Sequence, residues 1–161
     1  MTTVEQEVQA LLRATDDVAG WYRAVRALDA AAATPVVIEV LEDENESERE
    51  RRLAATMLGI LGDRRAIPPL VAAMGATDRV LRGRAAETLG NFPGLDPAIV
   101  AQLLQGLSDP DSYFRECCAK ALGQLTRVEA LPGLQRMRDQ DSVSSNREAA
   151  QQAIEAIQGV R

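Results

Sequence analysis

The stretch Arg51–Gly59 reads RRLAATMLG. It returns as RGRAAETLG at Arg82–Gly90 and as RECCAKALG at Arg115–Gly123. Looser copies are WYRAVRALD at Trp21–Asp29 and REAAQQAIE at Arg147–Glu155. Taking the Leu or Ile near the end of each copy as zero gives Leu28, Leu58, Leu89, Leu122 and Ile154, a step of 30 to 33 residues. A fixed period of this size marks stacked repeats, each of which buries its apolar face only against its neighbours. Such a stack presents surface rather than enclosing a reaction chamber.

Position −4 of each copy is Ala24, Ala54, Ala85, Cys118 or Ala150, and position +3 is Ala31, Leu61, Phe92, Leu125 or Ile157. At 3.6 residues per turn, −4, 0 and +3 share one side of a helix. Each phrase therefore predicts an amphipathic helix with a small residue at its closest contact. Asp17, Asp78 and Asp111 sit at −11, where an N-cap belongs. Gly59, Gly90 and Gly123 follow the zero position and read as signals near the helix end. A second, shorter helix follows each turn and often starts near proline: Pro35, Pro68-Pro69, Pro97 and Pro132. Its apolar stripes are Ile67, Leu70, Val71 and Met74, then Val100, Leu103, Leu104 and Leu107, then Leu131, Leu134 and Met137. Ahead of the first copy, Thr2-x-x-Glu5 reads as a capping box opening a lone N-terminal helix.

These signals predict an all-α, right-handed solenoid of about ten helices and no strands. The divisions are an N-terminal capping helix at 1–15, repeats at 16–46, 47–76, 77–109 and 110–140, and a C-terminal capping helix at 141–161. The atypical first and last copies suit ends that meet water.

Composition limits the function. No histidine occurs, which removes His-based acid–base chemistry and His-metal sites. No phosphate-loop or dinucleotide glycine motif is present. Cys117 and Cys118, the only cysteines, read as two reduced thiols. The carboxylate pairs Asp16-Asp17, Asp109-Asp111 and Asp139-Asp141 each precede a helix and read as caps rather than as metal or catalytic groups. The expectation is no catalytic residue, no cofactor and no metal. No run of residues is long and apolar enough to cross a membrane, and the N-terminus lacks a signal-peptide pattern, so the expected location is the cytoplasm.

The net charge of −6 is uneven. Residues 1–50 hold 12 acids and 4 bases, and the rest hold 12 acids and 14 bases. This balance, a single lysine and few aromatics argue against nucleic acid as a partner. The stretch Glu39–Glu50, with seven acids and one base, reads as a solvated acidic loop between the first two repeats. The arginines at −7 (Arg51, Arg82, Arg115, Arg147) read as a ladder reaching turn aspartates or helix-end carbonyls. Trp21 takes the arginine's place in the first copy and is expected to pack on the N-terminal helix. Of Tyr113 and Phe114, one is expected to enter the core.

The phrase R-x-x-A-A-x-x-L-G followed by G-D-x-x-A-I-P-x-L, seen best at Arg51–Leu70 with Gly62-Asp63 and Ala66-Ile67-Pro68, resembles the HEAT-like repeats named after phycobilisome lyases. The resemblance runs over nearly the whole chain. It implies a concave wall made of the second helices, whose exposed residues here are mixed. The partner-binding candidates on that wall are Gln102, Gln105, Gln135, Arg136 and Arg138, with Glu39 and Glu42 toward the N-terminus. The expected function is a monomeric, non-enzymatic scaffold holding a protein or peptide partner. By name alone the resemblance also implies an accessory subunit of a bilin lyase or of phycobilisome turnover. HEAT-like proteins that bind nucleic acid are a third class. HEAT-like iron hydroxylases use His-Glu pairs, which this chain cannot supply.

Overall fold

The structure, a computed structural model, describes residues 3–14 and 17–159. These residues form ten α-helices and no strand. The helices are α1 (Val4–Arg13), α2 (Val18–Ala27), α3 (Ala30–Glu42), α4 (Glu48–Leu61), α5 (Ile67–Ala73), α6 (Arg79–Leu89), α7 (Pro97–Gly106), α8 (Ser112–Gln124), α9 (Leu131–Gln140) and α10 (Ser144–Gln158). Short 3-10 turns at Arg64–Ala66 and Val128–Ala130 lead into α5 and α9. The chain is an all-α solenoid. The phrase helices are α2, α4, α6, α8 and α10; the second helices between them are α3, α5, α7 and α9, of which α3, at 13 residues, is longer than α2 and α6 rather than shorter as expected.

The core is one continuous strip. Ala54, Ala85, Cys118 and Ala150 at −4 are all fully buried, as are Leu58, Leu89 and Leu122 at zero. The first copy departs from this register. Ala24 is exposed and Leu28 only half-buried, while Val25 is the buried residue of α2. Helix α2 is short, and Trp21 with Val25 supplies its contact side. The bulky indole in place of arginine rotates the helix away from the alanine register.

Aspartates open the helices. Asp17, Asp78 and Asp111 accept N–H bonds from the first turns of α2, α6 and α8. Asp29 and Asp96 do the same for α3 and α7. Asp63 caps the 3-10 turn before α5. At the N-terminus the capping box is formed by Thr3 and Gln6, one residue beyond the expected Thr2/Glu5 pair; Thr2 lies outside the described residues. The acidic stretch is mostly not a loop, since α3 runs to Glu42 and α4 begins at Glu48. Ser47 and Glu50 form a capping box there. The acids Glu48 and Glu50 thus sit in a first turn, where the helix dipole favours them.

Proline does not start α3. Pro35 lies inside it, where the ring removes one N–H and orphans the carbonyl of Ala31. Arg65, from the turn before α5, fills the vacancy: its Nη2 donates to the Ala31 oxygen at 2.8 Å. Asp63 holds that guanidinium from the other side, 2.9 Å from Nε.

The glycines of the phrase are not primarily stop signals. Gly59 and Gly123 lie within α4 and α8. The residue that ends α4 is Gly62, in the left-handed region at φ 68°. A Cβ on Gly90 would lie 2.8 Å from the Cα of Ala121, and one on Gly123 2.8 Å from the Cα of Ala153. Phrase helices therefore cross at backbone contact, which only the absence of a side chain permits.

The arginine ladder is present. Arg51 donates to Leu41 O at 2.9 Å, Arg82 to Met74 O at 3.1 Å, Arg115 to Asp109 O at 2.8 Å and Arg147 to Asp141 O at 2.8 Å. Each reaches the carbonyl end of the second helix before it, where groups lack intrahelical partners. Two also reach forward. Arg115 forms a two-pronged pair with Asp141 at 2.7 and 2.9 Å, and Arg82 pairs with Asp109 while lying 3.8 Å over the ring of Phe114. Arg52–Asp78 repeats the pattern one residue along, at 2.6 Å.

Candidate functional site

Curvature decides which helices can surround a partner. Phrase helices α4, α6, α8 and α10 lie directly against one another along the stack, whereas α5, α7 and α9 scarcely touch each other and pack instead on the following phrase helix. In a curved double layer, the layer whose members sit closer together occupies the shorter arc. The phrase helices are therefore the inner layer. That packing argues for a partner-facing wall of phrase helices, where the resemblance implied the second helices. The physical reason is the glycine and alanine crossing just described, which draws the inner backbones together.

Three adjoining clefts run along that inner layer. The first, about 260 Å³, is lined by Val18, Trp21, Tyr22 and Leu53, with Arg49 and Arg84. The second, about 140 Å³, shares Tyr22, Thr56 and Arg84 with the first and adds Asn91 and Gln124. The third, about 320 Å³, shares Gln124 and continues past Lys120 to Ala149, Ala153 and Ala156. Together they make a groove from α2 to α10.

Its N-terminal end is built from the irregular first copy. The Trp21 Nε1 donates to Leu11 O at 2.9 Å, fastening the indole to α1 as expected. Tyr22 stands edge-on to it at 5.2 Å and stays 40% exposed. Val18 is 71% exposed. Arg49 clamps the end of α1, donating to Leu12 O at 2.8 Å and Ala14 O at 2.9 Å. Val18, Tyr22 and Leu53 together leave an open apolar patch in the first cleft.

The seven residues picked from sequence lie on the outer layer. Gln102 and Gln105, both exposed, flank a separate cleft of about 350 Å³ between α5 and α7. Gln135 and Arg136 are exposed on α9, and the Arg138 Nε donates to the adjacent Asp139 at 2.7 Å. Glu39 and Glu42 are exposed near the end of α3. One pattern joins some of them. Glu39, Ala72, Gln105 and Arg136 each stand two residues past a fully buried apolar residue (Val37, Leu70, Leu103, Leu134). They form an outer column whose charge passes from negative to positive along the stack.

The other chemistry-bearing groups are engaged in the scaffold. Arg115 beside Asp141 holds that carboxyl at about 2. Arg82 and Arg52 hold Asp109 and Asp78 below the usual range in the same way. Asp109, Asp111 and Asp141 also accept backbone N–H bonds at helix starts, which accounts for the pair Asp109-Asp111 and for Asp141; Asp139 departs from the expected cap, since it lies inside the last turn of α9 and accepts from Arg138. Asp16, of the third, lies outside the described residues. Burial pushes the Cys117 thiol up to about 11 and raises Cys118 further, so neither offers a thiolate near neutral pH.

The chain matches the family described as HEAT repeats over residues 5–90 and again over 70–155. It is 39% identical over 82 residues to the phycocyanobilin lyase subunit alpha of Picosynechococcus sp., which covers 47% of this chain and 30% of that protein. The chain thus spans less than a third of the curated relative it matches. The structure of the complex of CpcE and CpcF of phycocyanin lyase from Nostoc sp. PCC7120 matches with a TM-score of 0.70 at 26% identity, covering 99% of this chain and 66% of that one. A designed armadillo repeat protein in complex with the peptide (KR)4 matches at 0.66 and 18% identity over 96% of this chain and 81% of that one, a likeness of fold.

Proposed function

The chain belongs to the HEAT repeat family, in its phycobilisome-lyase type, and on that premise we propose that it is a protein-binding scaffold whose inner groove receives a partner polypeptide. The observation that supports this reading is the continuity of the groove. Tyr22, Thr56 and Arg84 line both the first and second clefts and Gln124 both the second and third, so a single partner can touch all five phrase helices. The exposed aromatic and aliphatic end supplies the type of anchor that dominates protein interfaces. The reading is of a non-catalytic role, since the carboxylates and thiols best suited to chemistry serve packing and capping.

The outer-layer set Gln102, Gln105, Gln135, Arg136, Arg138, Glu39 and Glu42 is the rival contact surface. A paired experiment separates the two. The tagged protein is purified from its source with whatever binds it, as two variants. Tyr22→Asp with Ala156→Arg blocks both ends of the inner groove, and Gln102→Arg with Arg136→Glu alters the outer layer. The inner pair is expected to lose the partner while keeping its melting temperature, and the outer pair to retain it. The reverse result would move the site to the outer layer.

A second reading follows from the relatives themselves, a lyase subunit and a two-protein complex. The scaffold would then be one component of a bilin-lyase assembly. Titrating the protein, alone and with its captured partner, into phycocyanobilin tests this. No change in visible absorbance in either case would remove the reading.

A further inference from the structure

The open side of the outer layer carries two rows of side chains along the stack. One is the column already described, Glu39, Ala72, Gln105 and Arg136. The other lies four residues back, one turn earlier on the same helices, and reads Pro35, Pro68, Ala101 and Pro132, all exposed. The water-facing side of a helix ordinarily carries charge; this second row carries none. Helix starts explain Pro68 and Pro132. They do not explain Pro35, which lies inside α3 and needs Arg65 to replace its lost bond. Neither Glu39 nor Arg136 has a side-chain partner among the described residues.

Each row is its own complement when reversed. Reversal sets Glu39 opposite Arg136 and Ala72 opposite Gln105 in the first row, and Pro35 opposite Pro132 and Pro68 opposite Ala101 in the second. A two-fold axis parallel to the second helices and passing between α5 and α7 performs that reversal while each row still faces itself. The cleft of about 350 Å³ at that midpoint is lined by both Ala72 and Gln105, so each copy's Gln105 can enter the other's cleft beside Ala72. One turn on, Glu42 comes to the Arg138–Asp139 pair, which has no net charge. Two outward-bowed faces touch first at the middle and gape at the ends. Small Pro68, Ala72 and Ala101 stand at the middle, and the long Glu39 and Arg136 stand at the ends, where they can span the gap.

We infer that the outer layer joins two copies of this chain in an antiparallel, two-fold symmetric dimer, rather than the expected monomer. Four helices spaced roughly 10 Å apart, each presenting about two turns, make a face of about 500 Å² on each copy. The total of about 1,000 Å² is at the lower bound of specific interfaces, which makes the dimer weak and dependent on concentration. Proline and alanine lose no rotamer freedom when covered, so the second row can contribute its apolar area without that cost. The end pairs set the direction, since a parallel pairing would put Glu39 on Glu39 and Arg136 on Arg136. The inner groove stays open on both copies, so the inference does not depend on what that groove receives.

Sedimentation velocity of the full chain, from low micromolar to millimolar concentration, is expected to show a monomer passing to a dimer that salt weakens. Glu39→Arg puts two arginines in each end contact, and Arg136→Glu puts two glutamates there. Each variant alone should dimerise at least about tenfold more weakly, with unchanged melting because both side chains are exposed. Mixed in equal amounts, the two variants restore opposite charges at both ends and should dimerise as the parent does. The double variant, Glu39→Arg with Arg136→Glu, should recover alone. A residue serving only its own fold would give no such rescue. A chain that stays monomeric throughout the range would overturn the inference, as would a dimer indifferent to both single variants. Weakening without rescue in the mixture would overturn the pairing of the ends. A dimer broken by Tyr22→Asp and untouched by the outer variants would place the contact in the inner groove instead. Partner capture is a separate readout, so none of these results decides the scaffold reading.

Discussion

At α8, Arg115 reaches back to the carbonyl end of α7 and forward to Asp141, while Gly123 lets α10 come within backbone contact. At α2 the equivalent of that arginine is Trp21, whose one polar bond goes to Leu11, and Val25 takes over the burial. The C-terminal part of the stack is thus tied by arginine–carboxylate pairs between repeats. The N-terminal end is held by an indole, by the Arg49 clamp on α1 and by the Arg65 contact with α3. A repeat that has a neighbour on both sides can share its polar groups with both. An end repeat must substitute apolar mass, and that mass becomes available to a ligand.

The largest test of this contrast is Arg115→Met. It leaves Asp141, whose side chain is 5% exposed, without its cation. The expected loss is about 3 kcal/mol, a fall in melting temperature of roughly 6–12 °C, read by circular dichroism. Equal loss for Trp21→Phe would erase the distinction between the two ends.

Glycine substitution ranks next. Gly90→Ala and Gly123→Ala push a methyl into the backbone of α8 or α10 and should each cost about 2 kcal/mol. Gly20→Ala in α2 meets only the side chain of Asp17, which can turn aside but then gives up its cap on the Gly20 N–H, so the cost should be about 1 kcal/mol, offset in part by alanine's better helix propensity. Chemical denaturation midpoints would rank the three.

Acid provides a similar magnitude without mutation. The Asp141 carboxyl titrates at about 2 when folded against an ordinary 3.8. A lowered carboxylate stabilises the fold above the unfolded value and loses that contribution as pH falls through the folded one. Roughly 2 kcal/mol should therefore disappear between about pH 4 and pH 2. Asp78 and Asp109, lowered by Arg52 and Arg82, add in the same direction. Hydrogen exchange should show α6–α10 loosening with acid before α1–α3 does.

Trp21→Phe is a small and local effect. It removes the bond to Leu11 but keeps most of the ring, and should cost about 1 kcal/mol. Faster exchange confined to α1 and α2 is the expected sign, with global melting little changed.

The repeat phrase made the helices, their amphipathic side and the backward-reaching arginines legible, because each depends on residues within a few turns. The aspartate caps of α2, α6 and α8 were legible for the same reason. What escaped depends on partners distant in sequence. The crossing role of Gly90 needs Ala121 beside it. Pro35 inside a helix looks like a helix start until Arg65 is known to satisfy Ala31. The register of α2 slipped because a phrase match weighs letters equally, whereas the indole of Trp21 outweighs an alanine. The choice of inner layer is a property of spacing between helices, which no single phrase encodes, and it moved the candidate site from Gln102 and Arg136 to Tyr22, Asn91 and Gln124.

The Arg65–Ala31 contact has a practical meaning for anyone cutting this chain into modules. A fragment ending at Gly62 would contain all of α3 yet lack the group that completes its backbone at Pro35. It would fray at that proline, even though the excision respects a helix boundary. A fragment extended through Ala73 keeps the donor and its Asp63 support. The N-terminal stretch that keeps the backbone bonds of α3 is thus longer than its helices suggest, and grafting this end onto another solenoid would require the Asp63–Arg65 turn to travel with it.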